Sequence, residues 1–251
     1  MDYLYRLLIP FAVFWLVLAW RPHDRRVWIA ENSLTVMTVI AMLWAHPTWP
    51  LSELSYSLIV AFLVLHTIGG HYTYVRVPYD EAAHAVVGIR ISGVFGWVRN
   101  NYDRAVHFAY GVLFAYPLFE LLEIYAQPLG YWSYVLSPAL IMATSMLFEV
   151  LEWGVTELLG GGQGAAYLGA QGDEWDAQKD MGLATLGSLI TMGATAVFTL
   201  HAYQRIRVIY DAQFSLDRQR TVVQQSARHV HGAINLNEKV SAERRLNDPA
   251  S

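Results

Sequence analysis

Apolar residues along this chain arrive in long blocks separated by short polar clusters, and the blocks have the length that a bilayer selects. Six runs stand out: Leu4 to Trp20, Trp28 to Trp44, Leu54 to Tyr74, Tyr102 to Leu122, Tyr131 to Leu159 and Asp176 to Tyr203. A helix needs roughly 20 mostly apolar residues to cross about 30 Å of hydrocarbon, so each run predicts a spanning helix. The first ends at the polar stretch Arg21 to Arg26 with no small-residue cleavage site, which predicts a retained span rather than a signal peptide. The second is weaker, because Glu31 and Asn32 sit near its start. The fifth is long enough to tilt or to break in part, and the glycine-rich stretch Gly160 to Gly164 ends it.

Two stretches do not read as spans. Residues 77–101 carry Pro78 and several glycines and polar breaks, which predict an interfacial half-helix over about Glu81 to Ile91. Beyond about Arg207 the chain is polar and charged with little periodicity. The chain therefore reads as all-α, a polytopic membrane helical bundle of about six transmembrane helices over residues 1–205. A polar C-terminal tail over 206–251 follows, expected to be disordered in part. Aromatic residues recur at the predicted helix ends (Trp20, Trp44, Trp49, Trp97, Tyr131, Trp132), as an interfacial belt requires. Six spans place both termini on one side. Basic residues are nearly balanced between Arg21, Arg25, Arg26, Arg90 and Arg99 in the early loops and the tail beginning at Arg205 and Arg207, which leaves orientation open.

Composition agrees and narrows the chemistry. Of the 251 residues 55% are hydrophobic and 15% charged, against about 25% charged in soluble domains. No cysteine is present, which excludes disulfides, zinc ribbons and a thiol nucleophile. Gly160 to Gly164 lacks the Lys-Ser/Thr of a phosphate loop, and neither His-Glu-x-x-His nor Gly-x-Ser-x-Gly occurs. No basic groove with interleaved aromatics predicts a nucleic-acid partner. The net charge of −4 conceals an asymmetry, for ten acidic residues face only Arg104 and Lys179 between Asp103 and Asp180. Carboxylates inside membrane segments are costly, face the protein interior and mark function.

Topology gathers these costly residues. The third and fifth runs end where the fourth and sixth begin, so His66, His71, Asp103, His107, Glu149, Glu152, Asp176 and Asp180 are predicted to lie at one membrane face. Asp103 and His107, and Asp176 and Asp180, are four apart, and Glu149 and Glu152 three apart, so each pair shares a helix face. His66 and His71 are five apart, poor for joint action, with Gly69-Gly70 between them able to unwind the turn. Carboxylates and imidazoles on facing helices are how bundles build metal sites, and this donor set suits zinc, manganese or iron. The candidate ligands are His66, His71, Asp103, His107, Asp173, Asp176 and Asp180. Glu149 or Glu152 is the candidate general base, and Arg76 and Arg104 are candidates for a headgroup phosphate. The bland alternative is a buried polar network satisfied by Arg76, Arg104 and Lys179. Glu120 and Glu123, at the far end of the fourth run, read as an interfacial pair reaching headgroup water. His23, His84, His201, His229 and His231 carry no such expectation.

Three stretches resemble a known family: Tyr102-Asp103-Arg104-Ala-Val-His107-Phe108-Ala-Tyr110-Gly111, Glu149-Val-Leu-Glu152-Trp153, and Gln171-Gly172-Asp173-Glu174-Trp175-Asp176-Ala177-Gln178-Lys179-Asp180-Met181. Together with His66-Thr-Ile-Gly-Gly-His71-Tyr-Thr-Tyr74 they resemble the YjdF family of bacterial inner-membrane proteins over about residues 5–205. The Asp-Arg-x-x-His-Phe segment is similar, more distantly, to the opening motif of VanZ-like membrane proteins, which implies a cell-envelope or lipid context. The resemblance implies a multi-pass inner-membrane fold with a shared site and names no substrate. From the residues, the leading expectation is a membrane-embedded, divalent-metal-dependent enzyme acting on a lipid or lipid-linked envelope substrate. A proton- or cation-coupled transporter, with a polar path running on through Glu120 and Glu123, and a non-catalytic envelope scaffold docking through its tail are the alternatives.

Overall fold

The computed structural model describes residues 2–159 and 170–202. Among these the chain is helical and without strands: α1 (Tyr3–Ala19), α2 (Arg25–Ala45), α3 (Glu53–Tyr72), α4 (Tyr79–Val87), α5 (Ile91–Phe95), α6 (Tyr102–Leu121), α7 (Trp132–Leu159) and α8 (Asp176–Ala202). Five of them, α2, α3, α6, α7 and α8, are long and apolar enough to cross a membrane, and α1 is a shorter apolar helix of 17 residues. The fold is thus the expected polytopic helical bundle. Gly160 to Gly164 and the tail over 206–251 lie outside the described residues. The chain divides into two compact units, Met1–Ala196 and Val197–Ser251, and the packing that follows is that of the first.

Local chemistry sets the helix starts. Asp2 accepts from the Leu4 N–H, Asp24 from the Arg26 and Val27 N–H groups, and Ser52 from the Ser55 N–H, each satisfying donors that a helix leaves open. Asp2 also pairs with His46 at 2.9 Å, just past the end of α2, and that hydrogen bond holds its carboxyl below the usual range. The expected interfacial half-helix is instead two short helices, α4 and α5, because Gly88 takes a left-handed φ of +74° and ends the first. Val86, Val87, Val94 and Phe95 are exposed on them, as residues lying in a headgroup layer would be. No break interrupts α7, and α6 runs on through a π turn over Leu122–Ala126.

Glu120 does not reach for headgroup water. Its carboxylate accepts from the Ser52 N–H and hydroxyl, both at 2.8 Å, and from the Ser55 hydroxyl. It therefore closes the start of α3 and ties α6 to it, while Glu123 is exposed on the π turn.

At the centre, α3 packs on α1, α2 and α6, and α6 packs on α7. Leu4, Phe11, Tyr56, Ile59 and Leu63 fill the first of two cores, and Ala115, Ile141, Ala184 and Met192 the second. Leu16, Met37, Ile40 and Val150 are exposed, which in a bilayer is contact with lipid. Lipid removes the hydrophobic drive for helices to associate, so small residues that allow close backbone approach carry much of the packing. Here α6 and α8 meet in this way. A Cβ on Gly111 would lie 1.9 Å from the Ala184 carbonyl oxygen, and one on Gly187 would lie 2.4 Å from that of Phe108.

Backbone cannot yield as a side chain can. Gly111→Ala is expected to lower the thermal unfolding midpoint in detergent, with a cost on the order of 1–3 kcal/mol from overpacking. Gly193→Ala, on the same α8 but with nothing within 4 Å of the added methyl, is expected to leave the midpoint unchanged or raise it slightly.

Candidate functional site

Strict alternation of the spans puts the start of α2, the end of α3, the start of α6, the end of α7 and the start of α8 at one end of the bundle. Asp103, His107 and Asp180 converge there, each offering a ligand atom within 4.8 Å of the others. His107 Nε2 lies 3.6 Å from an Asp103 oxygen and 3.5 Å from Glu149 Oε1. The close approach of α6 and α8 sets this spacing. Gly111 follows His107 by one helical turn and Ala184 follows Asp180 by one turn, so the backbone contact holds the two side chains opposite each other.

These carboxylates are poorly satisfied. Asp180 is 2% exposed, and among the described residues its Oδ1 has no hydrogen-bond partner, nor has the buried Oε1 of Glu149 or the buried Oε2 of Glu31. Among the described residues, the only positively chargeable groups within ion-pair distance of Glu31, Asp103, Glu149, Glu152 and Asp180 are His66 and His107. Buried acceptors left open cost free energy, and a cluster of carboxylates calls for protons or a cation.

A cavity of about 290 Å³ adjoins the cluster. Glu31, His66, Tyr74, Asp103, His107 and Glu152 form its polar end. Phe62, Phe114, Leu147, Phe148 and Leu151 are among the residues around its apolar remainder. Glu152 lines the space and Glu149 does not, so the two candidate bases have different surroundings: one faces the cavity and the other sits beside His107.

Glu31 and Tyr74 were absent from the candidates read from sequence. Glu31 counted there only against the second span, although a carboxylate in an otherwise apolar run is itself a functional signal. Tyr74 had no signal of its own. Its place depends on a turn in which Thr73 and Tyr74 both take left-handed backbone, φ 56° and 55°, at a cost on the order of 1–2 kcal/mol per residue. That turn folds the ring back over Gly69, where a Cβ would come within 2.5 Å of it. Gly69-Gly70 therefore does not unwind α3, which continues to Tyr72. Gly69 admits the Tyr74 ring, and Gly70 admits Asn32 and Glu31 of α2.

His66 is consumed by this arrangement. Its Nε2 lies 3.0 Å from the Glu31 backbone carbonyl, which only accepts, so that nitrogen donates. Its Nδ1 then accepts from the Tyr74 hydroxyl at 2.5 Å. With both nitrogens engaged, His66 lines the cavity without a free donor for a metal. His71 stands apart, its Nδ1 donating to the Leu18 carbonyl at 2.7 Å and its own carbonyl accepting from the His23 N–H. Arg76 is exposed and donates to His23. Neither His71 nor Arg76 lines the cavity.

A second network takes up Asp173, Asp176 and Arg104. Arg99 and Arg104 both reach Asp176, at 2.5 and 3.2 Å, and Arg104 and Lys179 both pair with Asp173. Lys179 is the main cause that holds the Asp173 carboxyl well below the usual range. Gln171 adds two hydrogen bonds to the Asn100 backbone. Asp176 begins α8 and turns to the loop, so it parts from Asp180 although the two share a helix face. The polar network thus engages these three residues, and among the described residues the ligand atoms that lie within 4.8 Å of one another are those of Asp103, His107 and Asp180, with Glu149 beside His107.

Opposite stability effects should separate the two groups. Asp176→Ala leaves two guanidinium groups short of a partner and is expected to lower stability by on the order of 3 kcal/mol. Asp180→Asn removes a charge from a crowded carboxylate cluster and is expected to keep or raise the thermal midpoint, because functional sites hold destabilising arrangements.

Comparison with known proteins agrees with this architecture. Residues 3–201 match the family described as "Predicted membrane protein (DUF2238)". The chain is also 33% identical to inner membrane protein YjdF of Escherichia coli (strain K12) over 190 residues, covering 74% of this chain and 86% of that protein. No solved structure matches. Six apolar helices and a family match over nearly the whole described chain lead to one conclusion: the protein is a multi-pass membrane protein and belongs to the DUF2238 family, the family of YjdF-like membrane proteins.

Proposed function

We propose that the protein is a divalent-metal-dependent enzyme embedded in the bacterial inner membrane, acting on a lipid or lipid-linked cell-envelope substrate. One observation carries this reading: Asp103, His107 and Asp180 bring ligand atoms within 4.8 Å of one another, with buried carboxylate oxygens left open among the described residues, and Asp103 and His107 line the polar end of an apolar cavity.

Two carboxylates and an imidazole are a borderline-hard donor set that fits manganese, iron or zinc. Glu149, 3.5 Å from His107, is placed to serve as a fourth ligand or to orient the ring. A bound divalent cation would polarise a phosphoryl or carbonyl oxygen and stabilise charge that develops there. Glu152 faces the cavity and would take a proton from the attacking water. In a hydrolysis, the water oxygen bonds to phosphorus or acyl carbon, the ester oxygen departs, and the proton held at Glu152 passes to it. His66 and Tyr74 would fix the position of Glu31 across the same space.

The relay reading has less support. It asks for a polar path to the far face, and Glu120, the residue offered for it, is engaged by Ser52 and Ser55.

Metal content measured by mass spectrometry on detergent-purified full-length protein, after incubation with manganese, iron(II) or zinc and desalting, tests the proposal. About one ion per chain is expected for the wild type, falling at least tenfold in His107→Ala and Asp180→Asn. A folded wild type that retains none of the three metals would overturn it.

A further inference from the structure

The cavity changes character with depth, and its carboxylates and imidazoles lie toward one end on all four of its walls. On α2, Glu31 lies six residues from Arg25 and Thr38 thirteen, depths of about 9 and 20 Å at 1.5 Å per residue. On α3, His66 lies six residues before Tyr72 and Phe62 ten, about 9 and 15 Å. On α6, Asp103 lies one residue from Tyr102 and Phe114 twelve, about 2 and 18 Å. On α7, Glu152 lies seven residues before Leu159 and Thr144 fifteen, about 10 and 22 Å. Every carboxylate and imidazole is shallow. The deep part reaches the middle of a hydrocarbon layer about 30 Å thick, and its walls are aromatic and aliphatic apart from a few hydroxyls.

A metabolite from water would meet this gradient the wrong way round, with its polar recognition at the mouth and an apolar end beyond. A lipid of the nearer leaflet already has the matching orientation, with its head at that level and its chain running to the midplane. The side walls point to the entrance. α3 and α6 pack closely and form the back, whereas α2 and α7 are not among the helix pairs in extensive contact. Leu147 and Leu151 of α7 line the cavity and are also 55% and 58% exposed at bilayer depth, which makes them a rim open to lipid.

We infer that one acyl or prenyl chain of a bilayer lipid enters sideways between α2 and α7, past Leu147 and Leu151, and lies against Phe62 and Phe114 with its head at the Glu31, Asp103 and Glu152 level. The volume of about 290 Å³ holds a length of single chain and is just below the range of small-molecule sites, about 300 to 1,000 Å³. The rest of the lipid stays in the bilayer. The inference gives the substrate of the proposed enzyme its class and its route, and in that it rests on the proposed function, but occupation of the cavity does not itself require metal.

The test uses the full chain in proteoliposomes containing a phosphatidylethanolamine with a diazirine at mid-chain. After photolysis the adducts are mapped by peptide mass spectrometry. Phe62 is 7% exposed, so bulk lipid does not reach it, whereas Val150 at 52% faces outward and reports bulk contact. Adducts on Phe62 or Phe114 are expected in the wild type. In Leu147→Trp, and independently in Leu151→Trp, they are expected to fall at least fivefold while adducts on Val150 persist. Both changes are on an exposed face, and an unaltered thermal midpoint shows that the variants fold. Adducts on Val150 without any on Phe62 or Phe114 would overturn the inference, as would Phe62 adducts that survive both substitutions. Metal content measured on the same samples separates the two claims. Labelled Phe62 without metal leaves a lipid cavity and removes the metalloenzyme, and metal without labelled Phe62 does the reverse.

Discussion

Five carboxylates inside an apolar bundle are the constraint to which the rest of the molecule answers. Glu31, Asp103, Glu149, Glu152 and Asp180 come from four different helices, and two histidines are the only positively chargeable groups within ion-pair distance among the described residues. In a low-dielectric interior such a set is unfavourable unless protons or a cation neutralise it. Among the described residues Arg99 and Arg104 form no ion pair with this set, because both are directed to Asp173 and Asp176. The fold thus directs Arg99, Arg104 and Lys179 to the start of α8 and, among the described residues, leaves oxygens of Glu31, Glu149 and Asp180 open.

Two close contacts hold this arrangement in place. Gly111 and Gly187 let α6 and α8 approach until backbone touches backbone, one turn beyond His107 and Asp180. Gly69 lets Tyr74 fold back onto His66, which in turn holds the Glu31 carbonyl. In each contact the absence of a glycine side chain lets residues with polar side chains come together. Placing these groups on rigid helices, with no loop of the second network intruding, is what a preorganised site requires. The cavity behind them extends the same logic, since its polar end coincides with the carboxylate layer and its apolar end with the depth of lipid chains.

Much of this was legible in the order of residues. Helix count, length and alternation follow from apolar runs of bilayer length, and alternation alone collects the ends of α3 and α7 and the starts of α6 and α8 into one layer. Spacing of three or four identified the pairs that share a face. The same reasoning failed where an interaction is not periodic. Asp176 and Asp180 share a face, yet Asp176 begins α8 and is free to turn to Arg99, so spacing could not separate their roles. His71, in the layer by count, is turned to the end of α1 through the Leu18 carbonyl. Glu120 looked like a residue of the headgroup region, and only the position of Ser52 and Ser55 beside it reveals a carboxylate that closes a helix start.

Transfer free energy in a bilayer depends on one dimension, and hydropathy along a chain is a one-dimensional record. Membrane class, span number and the depth of each costly residue were for that reason already present in the sequence. Which of those residues face one another depends on helix rotation and separation, and these come from contacts between segments remote in the chain: a missing Cβ at Gly111 against Ala184, or a left-handed turn that carries Tyr74 back to His66. Such contacts leave no periodic trace. The division of the polar residues into a fastened network and an open cluster was therefore visible only once the helices were packed.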